Sequence, residues 1–572
     1  MTDEKKPPAP SSDNRHATGA AAISLGGRFL TFVGRTMYMA RFGTANAFLN
    51  AFAFAIQVPN VIFTVVNSAL VAVFIPVYNS LLAEARQACN EHRGRGEQSE
   101  PPPRHREHMP EAAHSPEAAR IPYHAKKFID NVISISFVLL GIFVAAGVLF
   151  APLISRMISG GEFDDPEHIA FLTFSLRVLM PVMIFFGFAA IFTGLLQSHG
   201  SFRLPAVASA PGGIILIVYL IFFADRFGVT GLVFATALGV LMQPIVLLPA
   251  VWRLGYRYKF SLDLRNKNVR AAGKLCVPVV ISAASYQMHF LFGHSIALRL
   301  NATAVVDYAQ QVVQVLILTM VYAIAAVYFP KLSVLWARTR QAGGGHRGHV
   351  FGATRSLEAG SALREYCEYN EYNETLRNAM LYTFFLVLPA AAGVFILRME
   401  IMDFLLSPGE RGTEGVLLAG NLMGTYSIGV IFIAFKEVAD RAFYSEKDSV
   451  TPAIFGILIM VVNIVTVLLL VGSLGAYAMP AAYGIAAIVG GGGLLFVLQR
   501  RIGFINLKFL GEMFKNIFAV GIMVVAAFFV REAAFFDERV LNLILPAVVG
   551  AAVYFVAAWG LGISALRALR KK

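Results

Sequence analysis

Residues 71–80 read VAVFIPVYNS and residues 325–334 read AAVYFPKLSV, so an apolar run closes on a proline in each half of the chain. Two further landmarks recur behind them: Gly161-Glu162 matches Gly409-Glu410, and Leu204-Pro205-Ala206 matches Thr451-Pro452-Ala453. The paired positions are 254, 248 and 247 residues apart, so the register holds to within a few loop residues. The chain is therefore predicted to contain one unit twice, and paired membrane bundles of this kind build the central cavity of many transporters.

The composition places the chain in a lipid bilayer. Hydrophobic residues make up 57% of the 572 residues, charged residues make up 15%, and the mean hydropathy is +0.64. A soluble protein could not hide so much apolar surface. A bilayer core of roughly 30 Å needs about 20 apolar residues per helix. About fourteen stretches meet that length, near 22–43, 48–82, 124–155, 168–198, 204–224, 228–252, 271–299, 303–333, 375–406, 414–444, 451–472, 478–499, 511–530 and 540–566.

We therefore expect an all-α polytopic membrane protein with about fourteen transmembrane helices. Two six-helix pseudo-repeats form a central cavity, and a helix pair follows them. The predicted segments are a disordered cytoplasmic tail at 1–19, an N-terminal bundle at 20–260 with a cytoplasmic loop at 84–123, a C-terminal bundle at 261–505 with a cytoplasmic loop at 336–372, and a terminal helix pair at 506–572.

The net charge of +13 is a topology signal, because the basic residues gather in alternate loops. Arginine and lysine enrich the segments near 86–120, 253–267, 338–355, 500–508 and 567–572, whereas the intervening loops are short and neutral or acidic. This asymmetry favours a multi-pass protein of the bacterial cytoplasmic membrane with both termini in the cytoplasm. It also argues against a nucleic-acid partner.

No motif indicates catalysis, a cofactor or a metal. The chain has no phosphate-binding loop, no HExxH and no nucleophile elbow, so we expect no enzyme and no ATP-driven pump. The histidines of the 84–123 loop lack metal-ligand spacing. Three widely spaced cysteines imply no disulfide.

Polar side chains within the apolar spans are the candidate substrate ligands, because ionisable groups are costly in a membrane. Arg28 and Arg35 are seven residues apart, which puts them about 20° apart on one helix face and roughly 10.5 Å apart along it. Two guanidinium groups on one stripe suit a phosphate or carboxylate headgroup, since arginine offers bidentate donors to both. For Arg28, snorkelling to the interface is an equal alternative.

Further polar positions complete the candidate set. Pro59 is expected to kink the second span and to act as a moving part, with Asn60 beside it; helix–helix adhesion by the amides is the alternative. Arg177, Gln287 and Gln311 are the other candidate cavity residues.

Four charges end the tenth span. Glu437 with Arg441, and Lys436 with Asp440, have ion-pair spacing on a helix. The first interpretation is that these ion pairs only stabilise the helix. The functional alternative is that Glu437 and Arg441 form a cytoplasmic gate.

Several segments resemble the MurJ/MviN family of bacterial lipid II flippases, in the MOP exporter superfamily. They are Asn50-Ala51-Phe52, Val58-Pro59-Asn60, Val73-Phe74-Ile75-Pro76, Tyr308-Ala309, Tyr328-Phe329-Pro330-Lys331-Leu332-Ser333 and, most specifically, Arg441-Ala442-Phe443-Tyr444-Ser445 with Asp448 and Thr451-Pro452. The resemblance runs from about residue 22 to the C-terminus. It implies fourteen helices and basic cavity residues.

The resemblance extends to single positions. Arg28 and Arg35 resemble the arginine pair of the family's first helix, with a spacing one residue longer, and Arg177 resembles the basic position of its fourth helix. The chain departs from the family pattern at Asn50, where many members have an acidic residue. It also departs at Phe63 and Gln311, where many have arginine.

The resemblance implies that the chain flips an undecaprenyl-diphosphate-linked peptidoglycan precursor, lipid II, by alternating access. The expected partners are this anionic lipid-linked substrate and the membrane lipids. Three alternatives stay open: export of another lipid-linked oligosaccharide, antiport of the MATE type, and a scaffold whose cytoplasmic loops dock cell-wall synthesis proteins. A MATE-type antiporter would favour acidic cavity residues, and Asp307 and Glu437 are the candidates.

Overall fold

The computed structural model describes residues 12–69, 77–78, 81, 123–161, 163–201, 203–208, 210–263, 267–341, 359–406, 413–446, 448–533 and 539–570. Within these ranges the chain is helical and forms no β-strand beyond an isolated bridge between Gly160 and Phe163. The helices of the first half are α1 Ser12–Phe42, α2 Ala47–Ala69, α3 Tyr123–Ile158, α4 Pro166–Leu179, α5 Val182–Ser198, α6 Arg203–Val207, α7 Ala210–Phe222 and α8 Ala224–Arg253. The second half contains α9 Lys267–Arg299, α10 Thr303–Val313, α11 Thr319–Gln341, α12 Ala359–Ile396, α13 Arg398–Leu406, α14 Thr413–Ser445, α15 Val450–Leu474 and α16 Ala478–Ile502. Helices α17 Leu507–Ala533, α18 Arg539–Gly560 and α19 Ser564–Arg570 follow.

The membrane character of the fold is confirmed. The described residues contain 11 helical runs long and apolar enough to cross a bilayer. One of these, Val450–Ile502, is 53 residues long and includes both α15 and α16. Helices α1 and α9 lie at two further predicted spans. A helix thus stands at each predicted span, which agrees with about fourteen crossings.

Several helices are interrupted where the sequence predicted one continuous span. The 168–198 span breaks between α4 and α5, where Met180 and Pro181 form a turn. Its counterpart in the second half, α14, is continuous. A π-helical turn at Gln314–Leu318 separates α10 from α11. Wide turns of this kind mark places where a helix departs from the regular ladder.

Two predicted segments differ at their ends. Helix α1 begins at Ser12, inside the range assigned to the tail. The range 336–372 is helical at both ends, since α11 continues to Gln341 and α12 starts at Ala359. The loop at 84–123 lies outside the described residues except for its last residue.

The chain divides into two compact units. Unit 1 comprises residues 1–35, 55–155 and 172–283, and unit 2 comprises 36–54, 156–171 and 284–572. The division therefore passes through α1, α2, α3, α4 and α9. It assigns to unit 2 the last residues of α1 and α3, the first residues of α2 and α4, and residues 284–299 of α9.

Each unit has its own apolar core. In unit 1, buried side chains of α3, α5 and α8, such as Phe128, Leu195 and Leu247, pack together. In unit 2, one core joins α11, α12, α14 and α16 around Tyr372 and Phe443. A second core joins α12 to the terminal pair α17 and α18.

The terminal pair is fixed by polar contacts as well. The Tyr554 hydroxyl lies 2.6 Å from the Phe385 carbonyl oxygen and 2.7 Å from Asn516 Oδ1. Asn516 Nδ2 donates to the Phe384 carbonyl oxygen at 3.1 Å. All these groups are buried, so the contacts orient α17 against α12.

Candidate functional site

The predicted arginines of the first span lie on α1. Arg35 is half-buried, and the adjacent Gly34 lies against Leu216 of α7, where an added Cβ would come within 2.7 Å of the leucine side chain. The α1 backbone at Arg28 is helical, but its side chain lies outside the described part of the structure. The close contact between α1 and α7 fixes how α1 is rotated about its own axis. It therefore also fixes which side of α1 the Arg35 side chain extends from.

Pro59 lies inside α2, where its missing N–H leaves the carbonyl one turn earlier without its helical donor. The next turns add side-chain bonds to backbone carbonyls: Thr64 Oγ1 donates to the Asn60 oxygen at 2.7 Å, and Ser68 Oγ donates to the Thr64 oxygen at 2.8 Å. Hydroxyl groups bonded in this way often bend helices. Helix α2 therefore has the features of a deformable element around Asn60.

The other predicted ligands are distributed over both units. Arg177 is exposed in the last turn of α4, in unit 1. Gln287 on α9 and Gln311 on α10 are half-buried in unit 2. Arg35 and Asn60 belong to unit 1, and Glu437 and Arg441 belong to unit 2.

Four charges in α14 form the two ion pairs that their spacing predicts. Lys436 Nζ lies 2.6 Å from Asp440 Oδ2, and both side chains are only 9% exposed. Arg441 and Glu437 are 3.9 Å apart, and Arg441 also lies 5.8 Å from the centre of the Phe329 ring. Removing one member of a buried pair strands the other charge, so Lys436 and Asp440 are expected to act as a unit.

Sequence reasoning did not identify a polar contact of unit 2 that we call the Asn50 junction: Asn50, Asn301 and Ala304. The first turn of α10 has no side-chain cap of its own, because its N-cap residue is Ala302. Asn50 Oδ1 on α2 instead accepts the Ala304 N–H at 2.7 Å. One helix is thus capped by a side chain of another, which satisfies a buried donor at the helix start.

The amide of Asn50 also binds the turn before α10. Its Nδ2 lies 2.8 Å from the Asn301 carbonyl oxygen and 2.9 Å from Asn301 Oδ1. Asn301 Nδ2 in turn donates to the Ala45 carbonyl oxygen at 2.9 Å. A carboxylate at position 50 could accept from Ala304 but could not donate to Asn301, so asparagine here serves both sides of the junction.

Further contacts surround the junction. Thr36 Oγ1 and the Tyr308 hydroxyl are 2.8 Å apart. The Arg299 guanidinium donates to the Ile158 and Met157 carbonyl oxygens at 3.0 and 3.1 Å, which caps the C-terminal end of α3. Hydrogen bonds therefore join α1 to α10, the start of α2 to α10 and the turn before it, and the end of α3 to the last residue of α9.

The sequence repeat places the two partners in corresponding helices. Helix α2 starts at Ala47 and α10 starts at Thr303, 256 residues later, close to the offset of 254 that relates Pro76 to Pro330. Asn50 and Ala304 thus both lie in the first turns of helices that hold similar places in the two repeats.

The comparisons with known proteins agree with this architecture. The model of the family described as "Lipid II flippase MurJ" matches residues 109–549. The probable lipid II flippase MurJ of Rhizobium meliloti is 24% identical over 463 residues, covering 78% of this chain and 81% of that protein. The lipid II flippase MurJ of Burkholderia cenocepacia is 22% identical over 384 residues, covering 66% and 69%.

Two solved structures share the fold. A lipid II flippase MurJ in an inward closed conformation aligns with a TM-score of 0.70 at 16% identity, covering 96% of this chain and 97% of that one. An inward-facing multidrug resistance transporter of the MATE family, in the MOP superfamily, aligns with a TM-score of 0.56 at 16% identity, covering 84% and 98%.

Proposed function

Because the chain belongs to the lipid II flippase family MurJ, we propose that it moves lipid II across the bacterial cytoplasmic membrane by alternating access. The family match over residues 109–549 carries this proposal. The protein is a multi-pass membrane transporter and not an enzyme. Lipid-linked substrate and membrane lipids are its proposed partners, with both termini in the cytoplasm.

In the proposed cycle, Arg35 and Arg28 bind the diphosphate of the substrate. Guanidinium groups give planar, paired donors to phosphate oxygens and keep their charge at every physiological pH. The lipid chain stays outside the cavity against α17 and α18. Movement at Pro59 and at the ion pair between Glu437 and Arg441, nearer the cytoplasm, opens and closes access.

The Asn50 junction supplies closure on the side of the membrane opposite the termini. Hydrogen bonds of this kind contribute about 1 kcal/mol each, so several of them can hold one state and still release it on the timescale of transport. This is the scale at which a bound substrate can shift a conformational equilibrium.

A MATE-type antiporter is less well supported. Its cavity would favour acidic residues, but Glu437 pairs with Arg441 and Asp307 lies 3.4 Å from His294. The loops that a scaffold would use, 84–123 and 336–372, lie largely outside the described residues.

Replacement of the native flippase tests the proposal. In a bacterium depleted of its own lipid II flippase, expression of this chain should restore growth and the labelling of lipid II at the cell surface. Arg35→Ala should lose this activity and Arg35→Lys should restore only part of it, since lysine lacks the bidentate fork.

Arg41→Ala is the matched control, because Arg41 is a half-buried arginine of the same helix nearer its end. Equal rescue by Arg35→Ala, Arg41→Ala and wild type at equal abundance would show that Arg35 is not a substrate ligand. Failure of the wild-type chain to rescue, despite correct membrane insertion, would count against lipid II as the substrate.

A further inference from the structure

Unit 2 contains a small polar cavity that the proposed substrate pathway does not use. It lies among α9, α10, α14, α15 and α16. Its lining combines apolar residues with polar ones, which include His289, His294, Gln310, Asn463 and Tyr483. About 20 Å³ is open to a water-sized molecule, which is room for about one water. A lipid headgroup cannot enter, so the cavity suits water or a single small ion.

The two ring nitrogens of His294 have different partners: Nδ1 contacts a backbone carbonyl oxygen, and Nε2 lies near the Asp307 carboxylate. Its Nδ1 lies 2.7 Å from the Phe290 carbonyl oxygen, which can only accept a hydrogen bond, so Nδ1 carries a proton. Its Nε2 lies 3.4 Å from Asp307 Oδ1. Uptake of one proton from water at Nε2 therefore converts a neutral imidazole beside a carboxylate into an ion pair.

The buried surroundings of His294 increase the effect of this change of charge on its attraction to Asp307. The titratable groups that face His294 are His289 from α9, Asp307 from α10, Tyr426 from α14 and Tyr483 from α16, and α15 contributes only the neutral Asn463. The side chains of His294 and Asp307 are 6% and 15% exposed. In such a poorly solvated place the protonated imidazole attracts Asp307 more strongly than it would in water.

A bound metal cation is the alternative to a proton. Small hard cations prefer several oxygen ligands; the pair itself offers an imidazole nitrogen and one carboxylate, and side chains of Gln310, Asn463 and Tyr483 also line the cavity. Across the part of the chain that the structure describes, no cluster of three or more histidine, cysteine, aspartate or glutamate residues could hold a metal.

The pair is joined to the Asn50 junction through the first turns of α10. Thr303 Oγ1 donates to the His294 carbonyl oxygen at 3.3 Å, and the next residue, Ala304, donates to Asn50. Asp307 stands one turn later, followed by Tyr308, which contacts Thr36. Any force on Asp307 therefore acts on the short helix whose start the junction caps.

We propose that His294 and Asp307 form a proton-binding site, and that the bound proton holds the Asn50 junction closed. Protonation strengthens the contact between α9 and α10 that is present in the closed junction. Loss of the proton weakens it and favours release of α2 from α10. The role of the junction as a gate rests on the proposed transport function, whereas the proton site does not.

Hydrogen–deuterium exchange on the purified, substrate-free protein tests the site directly. Peptides covering 299–308 are compared at about pH 6 and about pH 8, either side of the range in which imidazoles titrate, with labelling times scaled to equal intrinsic exchange. Protection in the wild type should fall several-fold at the higher pH, because the ion pair that holds α10 against α9 is lost. It should be independent of pH in His294→Gln and in Asp307→Asn.

His199→Gln is the matched control. Its Nδ1 contacts the carbonyl oxygen four residues earlier at 3.0 Å, as in His294, but its ring lies beside Tyr78 in unit 1. This variant should behave as wild type. Each variant is first checked for wild-type elution and melting, and Asp307→Asn serves alone if His294→Gln does not fold.

Three results would overturn the inference: pH-independent protection in the wild type, a pH effect that persists in the folded variants, or recovery of protection at the higher pH when sodium replaces choline in the buffer. The last result would indicate a metal cation instead of a proton.

Lipid II flipping in proteoliposomes, with and without a pH gradient, separates this inference from the proposed function. The gradient should change the wild-type rate severalfold and leave the His294→Gln rate unchanged. A protein that shows pH-dependent protection but never flips lipid II would refute only the proposed function. Gradient-sensitive flipping by His294→Gln would refute only the proton site.

Discussion

At the scale of single residues, Asn50 caps the start of α10 and binds Asn301. No local sequence pattern predicts this role, because these partners lie about 250 residues away in the chain. Asn50→Ala leaves the Ala304 N–H and the Asn301 carbonyl without their partner. Loss of a helix cap costs about 0.5–2 kcal/mol, and each stranded buried group adds to that cost. We expect a clearly lower melting temperature in detergent, measured by intrinsic fluorescence.

Asn67→Ala controls for the substitution, since Asn67 is a half-buried asparagine on the same helix. Asn50→Asp should fall between wild type and Asn50→Ala, because aspartate can accept from Ala304 but cannot donate to Asn301. Equal melting of the Asn50→Ala and Asn67→Ala proteins would contradict the capping role.

A second residue-scale prediction concerns pH and Glu446, which follows α14. Burial raises the pKa of the Glu446 carboxyl to about 7, although the nearby Arg501 lowers it. The neighbouring Asp448 behaves oppositely: burial raises its pKa, but hydrogen bonds from Thr451 and Arg501 outweigh burial and leave it lowered. The two acids at this helix junction therefore differ in protonation near neutral pH.

The raised pKa means that the folded state binds the Glu446 proton more tightly than the unfolded state, whose pKa is near 4.5. The stabilisation is complete below that value and is lost as the pH rises towards 7. Glu446→Gln keeps a neutral side chain, so its melting temperature relative to wild type should increase between about pH 5 and pH 7.5. Glu414→Gln, at an exposed glutamate, is the control and should show no such change with pH. If the difference in melting temperature between Glu446→Gln and wild type does not change with pH, the prediction is contradicted.

At the scale of helices, periodicity and hydropathy predicted the elements well where one apolar run makes one helix. Helix α15, Val450–Leu474, lies within a few residues of the predicted 451–472. The breaks at Met180-Pro181 and at the π-helical turn were missed, because the hydropathy of both regions is continuous. The candidate site was predicted only in part: ion-pair spacing identified the α14 charges, whereas the Asn50 junction depends on contacts between remote helices.

The terminal helix pair allows a test at this scale. Tyr554→Phe removes the hydroxyl that contacts the Phe385 carbonyl and Asn516 while leaving the ring in place. Loss of a buried hydrogen bond costs about 1–3 kcal/mol when a partner is stranded, so we expect lower thermal stability. Tyr444→Phe, at an exposed tyrosine of α14, should melt as wild type; a matching loss in both proteins would show that the docking contact is not specific.

At the scale of the whole molecule, the charge asymmetry predicts which loops face the cytoplasm. Asp164 lies in a short acidic loop and Arg257 in a basic one, and both are exposed. With Cys89, Cys276 and Cys367 replaced by serine, Asp164→Cys should react with an impermeant maleimide in intact cells. Arg257→Cys should react only after permeabilisation. The reverse pattern would invert the topology and exchange the two sides of the proposed cycle.

The contact between the start of α2 and the start of α10, one from each half of the chain, has a consequence for how such a chain can arise. If two identical copies once met about a two-fold axis, equivalent positions near that axis faced each other, and any mutation there changed both sides at once. Joining the copies in one chain removes that coupling. One position could then keep an asparagine while the other became an alanine that offers only its backbone, a division of roles that a symmetric dimer of identical chains cannot adopt.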